Sequence, residues 1–459
     1  MLSRLPVFFF LLLSLPLYAQ WDDTDLLPPS FHKGRRDALR ALLPEKSVAV
    51  FFANPVRNRN NDVDFQYSQH PDFYYLTGCT EPDAVFVLLK EPRNIDGKMV
   101  NDLLFVRERD PKSELWTGKR LGAEGATARL GIEASYTTNN WKDFGLNWAS
   151  FDQIFVRYPE LPNDSRSSTT DLADLVKQFK GVMEQSRLEP KTSAIHGYMA
   201  RLREVKLPEE IVLLQKAMDI TIDGFKDMIA RIQPGMKEYE AQAVIEYHAK
   251  KNGAEFMGYP SICGGGENAC VLHYTHNRKP LKGEELLLVD MGAEYHGYTA
   301  DITRTVPVDG KFSEEERAIY QVVLSAQEAG IAACRQGADF RASHRAAYDV
   351  IAKGLMDLGI VASTSDAGKY FMHGTSHYLG LDVHDAGTYG PLLPGVVMTV
   401  EPGIYIAEGS PCDRKWWNIG IRIEDDILVT TSDPVVMTKS LPRSVDELEK
   451  LMERPSSGN

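Results

Sequence analysis

A chain of 459 residues with 43% hydrophobic and 25% charged residues has the balance of a soluble two-domain protein and is long enough for two substantial cores. Its net charge of −13 argues against a nucleic-acid partner and against an anionic membrane surface.

The N-terminus reads as an address. Met1-Leu-Ser-Arg4 carries a positive charge, Val7 to Leu17 is apolar, and Tyr18-Ala19-Gln20 closes the run on a small residue, so residues 1–19 are expected to be a secretory signal peptide. The run is too short to span a bilayer, which predicts export to the periplasm or the medium without stable membrane insertion. A retained signal anchor is the competing reading, because Leu17, three residues before the cut, is not small. No cysteine follows the cut, so no lipoprotein anchor is indicated. The five cysteines, Cys79, Cys263, Cys270, Cys334 and Cys412, are odd in number and scattered, as core thiols with at most one disulfide would be.

Residues 30–190 mix apolar, β-branched runs such as Ser47 to Phe52, Ala84 to Leu89 and Leu103 to Val106 with helical stretches, which predicts an α/β N-terminal domain. Residues 191–207 read as a linker, and a second domain follows over 208–445. Its first helix starts at Pro208, its second covers Lys237 to Lys251, a capping box at Ser313 to Glu316 opens a third, and Ser343 opens a fourth. Two helices, a hairpin, two more helices and then strands predict an α+β domain with internal pseudo-symmetry. Gly264-Gly-Gly266 has no Gly-Lys-Ser/Thr after it and is a flexible turn, not a phosphate loop.

Between the helix pairs, Glu285 to Val306 contains two apolar runs around His296-Gly297, a two-residue hairpin turn. That turn sets Asp290 opposite Thr303 and Asp301 opposite Gly292, so the two aspartates become diagonal neighbours on one face, about 7–8 Å apart at the backbone. Two aspartates solvated on a hairpin edge would give the same pattern. Further on, His373, His377 and His384 fall within twelve glycine-punctuated residues, where no helical or strand period could bury them as core. Glu401 and the pair Arg422 and Glu424 interrupt apolar strand-like runs, and a charge in such a run needs a partner or a metal. Arg422 and Glu424 share a face if one strand runs through both, so a buried salt bridge between them is the simpler alternative.

These motifs, with Leu272-His273-Tyr-Thr, Val289-Asp290-Met-Gly, Ala300-Asp301-Ile-Thr-Arg-Thr, His373-Gly-Thr-Ser-His377, Val383-His384-Asp, Val400-Glu401-Pro-Gly and Arg422-Ile-Glu424-Asp-Asp, resemble the pita-bread metallopeptidases and, within them, the aminopeptidase P family of X-prolyl aminopeptidases. The resemblance reaches upstream to Gln69 to Gly78 and departs only locally, as at His276, where the family carries an acidic residue. It implies a creatinase-like N-terminal domain and a pita-bread catalytic domain. It also implies two divalent metal ions held by Asp290, Asp301, His377, Glu401 and Glu424, with Asp301 and Glu424 bridging them. A hydroxide shared by the ions would attack the scissile carbonyl. Glu401 is then the proton acceptor, His273 and His384 bind and polarise the carbonyl, and His373 and Arg422 line a pocket for the proline after the scissile bond. Hard carboxylate oxygens favour Mn2+, with Zn2+, Co2+ and Fe2+ as alternatives.

The expected partners are proline-containing peptides. The resemblance further implies a homodimer or homotetramer in which Trp116 could approach a neighbour's site, although a packed or surface tryptophan fits equally. An X-Pro dipeptidase (prolidase) shares the ligands, but Leu115 to Gly122 and Gln69 to Gly78 look more like aminopeptidase P. A metal-free pita-bread binding module is the alternative from another class, and five intact ligands argue against it.

Overall fold

The structure, a computed structural model, describes residues 25–161, 171–186 and 188–453. The proposed signal peptide lies outside these residues. Among them no helix is long and apolar enough to cross a membrane.

The N-terminal half is built on a five-stranded mixed sheet. Its inner strand Ser47–Phe52 is buried at every position, as an apolar run flanked on both sides requires. It pairs antiparallel with Val85–Ile95 and parallel with Gln153–Arg157. Helices Pro29–Leu42 and Leu172–Ser186 bury Phe31, Leu39, Leu175, Val176 and Phe179.

The stretch read as a linker contains the helix Thr192–Arg203, which buries Ile195, Met199 and Arg203. The Arg203 guanidinium fastens the two halves together: it donates to Asp72 Oδ1 at 2.7 Å, to Asp382 Oδ2 at 3.1 Å and to Asp385 Oδ1. Lys206 Nζ completes the Asp385 carboxylate at 2.8 Å. Four fully buried charges survive because each is paired and hydrogen-bonded. The consequence for function is local, since Asp385 follows His384.

In the C-terminal half, helices Pro208–Arg231 and Glu238–Lys251 precede one set of strands, and Glu314–Ala333 and Ala342–Asp357 precede another. This is the expected pseudo-symmetric α+β plan. The Ser313 capping box forms with Glu316 as read. Ser343, however, lies inside the fourth helix, which Arg341 caps without a side-chain bond. The hairpin also forms in the expected register, with Asp290 opposite Thr303 and with His296 and Gly297 both at positive φ, 50° and 83°, as a tight two-residue turn between Tyr295 and Tyr298 demands. All five cysteines are free thiols, and Cys79, Cys263 and Cys334 are buried.

Candidate active site

Four segments bring their side chains to one cavity of about 500 Å³. The hairpin supplies Asp290 and Asp301, the loop before the strand Val397–Val400 supplies His373, His377 and His384, and the turn after that strand supplies Glu401. Arg422 ends the strand Ile419–Arg422, and Glu424 precedes Asp425–Leu428. His273 and Leu272 line the same cavity. Every catalytic, metal-ligand and substrate-binding residue expected from the sequence therefore lines the same space.

The carboxylates are close and mostly dry. Ligand-type atoms of Asp301, His377 and Glu424 all lie within 4.8 Å of one another. His377 Nε2 is 3.3 Å from Asp301 Oδ2 and 3.5 Å from Glu401 Oε1. The Tyr259 hydroxyl is 2.6 Å from Asp290 Oδ1 and 2.5 Å from Asp301 Oδ1, so the two aspartates reach one atom, as the register requires. Asp301 and Glu424 are 5% and 1% exposed, and such crowding works against ionisation. Burial, then the charges of Asp301, Glu401 and Asp290, push the Glu424 carboxyl well above its usual range. Burial pushes Glu401 up to about 7, with Asp301 and Asp290 adding to it and His377 and Arg422 opposing.

His377 is oriented for a cation. Its Nδ1 faces the Tyr378 carbonyl oxygen at 3.1 Å and must donate to it, which leaves Nε2, the nitrogen facing Asp301 and Glu401, to carry a proton or, once that proton is lost, to take up a metal ion. Burial opposes a proton on this ring, but the Asp301 and Glu401 carboxylates outweigh it and raise the pKa to about 9, so a cation is already favoured at this position. An oxygen-rich set with one imidazole and mutual carboxylate repulsion fits hard divalent ions.

Arg422 does not pair with Glu424. The strand ends at Arg422 and a different one begins at Asp425, so the two-residue period does not connect them. Arg422 Nη2 reaches Asp290 Oδ2 at 2.6 Å, Nη1 reaches the Tyr405 hydroxyl at 2.9 Å, and Nε reaches Thr303 Oγ1 at 3.2 Å. Glu424 instead accepts from the Thr303 hydroxyl at 2.6 Å. Beyond Tyr405 the chain of contacts continues to His373 Nε2 at 2.9 Å, while His373 Nδ1 donates to the Gly374 carbonyl at 2.7 Å. Burial, helped by the Arg422 charge, lowers the His373 pKa to about 4, so this ring is neutral and Nε2 accepts from Tyr405. The His384 ring lies 4.2 Å from that of His377, and burial followed by the charges of His377 and His273 lowers its pKa too.

Sequence reading missed Tyr259, Thr303, Thr399 and Tyr405. Thr399 Oγ1 accepts from His377 N–H and lies 3.4 Å from Glu401 Oε1, holding the two ligands side by side. An aromatic hydroxyl before a proline, Tyr259-Pro260, was the one local signal available.

A pseudo-symmetric α+β half with a carboxylate and imidazole cluster on the wall of its cleft defines a metallopeptidase. The model for metallopeptidase family M24 matches residues 212–431, and that for the aminopeptidase P N-terminal domain matches residues 32–151. The chain is 36% identical to the Xaa-Pro aminopeptidase of Escherichia coli K12 over 91% of its own length and 96% of the relative's, and 34% identical to that of Haemophilus influenzae over 93% and 98%. The solved structure of E. coli aminopeptidase P with the inhibitor Pro-Leu superimposes with a TM-score of 0.83 at 33% identity, covering 93% of this chain and 98% of that one. The chain belongs to the aminopeptidase P family.

Proposed function

We propose that this protein removes the N-terminal residue from peptides with proline in second position, using divalent metal ions held by Asp290, Asp301, His377, Glu401 and Glu424. The observation that carries the reading is the convergence of these five side chains on one cavity that His273, His373, His384 and Arg422 also line. The relatives' Xaa-Pro aminopeptidase activity, and the Pro-Leu found as inhibitor in E. coli aminopeptidase P, support proline after the scissile bond.

When bound, divalent ions supply Lewis acidity for the scissile carbonyl and acidify a water toward neutrality. The remaining work belongs to the chain. Glu401 takes the proton of the attacking water on a carboxylate oxygen and returns it to the proline nitrogen as that bond breaks. His384 and His273 offer ring N–H groups to the carbonyl oxygen as it gains charge. His373, held neutral, and Arg422, anchored on Asp290 and Tyr405, wall the space for the proline ring.

Four carboxylates around one imidazole favour Mn2+ over a site selective for zinc. Exhaustive chelation should therefore abolish turnover, and Mn2+ should restore more of it than Zn2+, Co2+ or Fe2+. Full activity in protein shown by elemental analysis to be metal-free would contradict the reading.

Export and self-association are proposed as well. The apolar run at Val7 to Leu17 supports the first, and the 84% and 87% exposure of Leu115 and Trp116 supports a dimer or tetramer. N-terminal sequencing of the exported protein should begin at Gln20, and sedimentation should show an oligomer. An uncleaved start or a monomer would contradict the respective proposal.

A further inference from the structure

The hairpin carrying Asp290 and Asp301 is pinched where the two carboxylates meet. Its ladder stops at the pair Met291 and Ile302, and pairing resumes at Glu294 and Thr299. Between them Gly292 approaches the opposite strand so closely that a Cβ there would fall 1.7 Å from the Ala300 carbonyl oxygen. The Gly292 carbonyl is occupied by the Gly258 N–H at 2.9 Å. Ladder bonds run from Val308 N–H to the Glu285 carbonyl and from Ala300 N–H to the Ala293 carbonyl, so by alternation the Asp301 N–H points away from the Asp290 strand, and this buried backbone donor needs a partner on the other side.

That partner is Asp426, whose Oδ2 accepts from Asp301 N at 3.2 Å. Asp426 lies in the strand Asp425–Leu428, is 0% exposed, and its other oxygen, Oδ1, is buried without a hydrogen-bond partner. A buried carboxylate with an idle oxygen weakens a core, so a fold selected for stability alone has no use for it here. Across the ladder from Asp426 stands Thr399, the residue that holds His377 and Glu401 together. Asp426 therefore sits behind ligands from two separate segments and contacts the main chain of one.

We propose that Asp426 is a positioning residue that fixes the Asp301 main chain from the side facing away from the Asp290 strand, so that the Asp301 carboxylate faces Asp290 and His377, and thereby sets the affinity of the site for divalent ions. This inference rests on the metal-site reading above. It acts through a hydrogen-bond acceptor, so a variant that keeps an oxygen at this place must keep most of the effect.

Calorimetric titration of Mn2+ into metal-depleted full-length protein tests it with Asp426→Asn, Asp426→Leu and Asp426→Ala. The leucine and alanine variants should bind Mn2+ about 10–100-fold more weakly, the range found when an outer partner of a metal ligand is removed. The asparagine variant should lie much nearer the parent, and saturating Mn2+ should return most of the parent's kcat to all three. The alanine variant keeps the test open if the leucine variant fails to fold, which melting of the metal-depleted proteins reports. Parent-like affinity in the leucine or alanine variant would overturn the inference, as would an equal loss in all three. A parent protein that binds no Mn2+ at all would instead overturn the metal-site reading.

Discussion

Replacing Asp301 by asparagine should lower kcat/KM by several orders of magnitude while leaving the fold largely intact. The substitution preserves volume and the backbone bond to Asp426, but it removes the charge from the carboxylate that lies nearest to both His377 and Tyr259. A metal ligand loses most of its value with its charge. Elemental analysis alongside kinetics should show lost metal together with lost turnover. Near-normal turnover would show that Asp301 is not a ligand.

Glu401→Gln should cost about 10²–10⁴-fold in kcat, the usual contribution of a positioned proton acceptor. The parent carboxyl is poised for that task, because burial and the neighbouring aspartates bring its pKa up to about 7 against the opposing pull of His377 and Arg422. The Glu401 backbone N–H stays bound to the Thr375 carbonyl at 2.9 Å, so the amide should sit where the acid did. Circular dichroism and melting should match the parent. A kcat within a few-fold of the parent would remove Glu401 from the chemistry.

What could be read from the sequence was whatever obeyed a short period. His296-Gly297 fixes the hairpin turn, and from it the register that sets Asp290 opposite Thr303 follows by counting. The helix starts at Pro208 and Ser313 were equally local. The helix Thr192–Arg203 was hidden because its buried stripe, Ile195, Met199 and Arg203, ends on a charge, and only the fold shows that Asp72 and Asp385 neutralise it. Arg422 and Glu424 misled for a related reason: the two-residue period holds within a strand, and the chain changes strands between them. Thr303, Thr399 and Tyr405 join the site through contacts that no local pattern encodes, such as the Thr303 bond to Glu424 across 121 positions.

The protein should cleave the bond before proline in peptides longer than two residues. Mass spectrometry of products from a matched panel of X-Pro-Y, X-Ala-Y and X-Pro peptides tests it most directly. A pocket shaped for the proline ring gives little to a small side chain, and a dipeptide lacks the downstream residue that a longer substrate would place along the cavity. X-Pro-Y should lose only X and react fastest, with X-Ala-Y and X-Pro both slow. Preference for X-Pro over X-Pro-Y would make the protein a dipeptidase, and equal rates on X-Ala-Y would contradict the proline specificity.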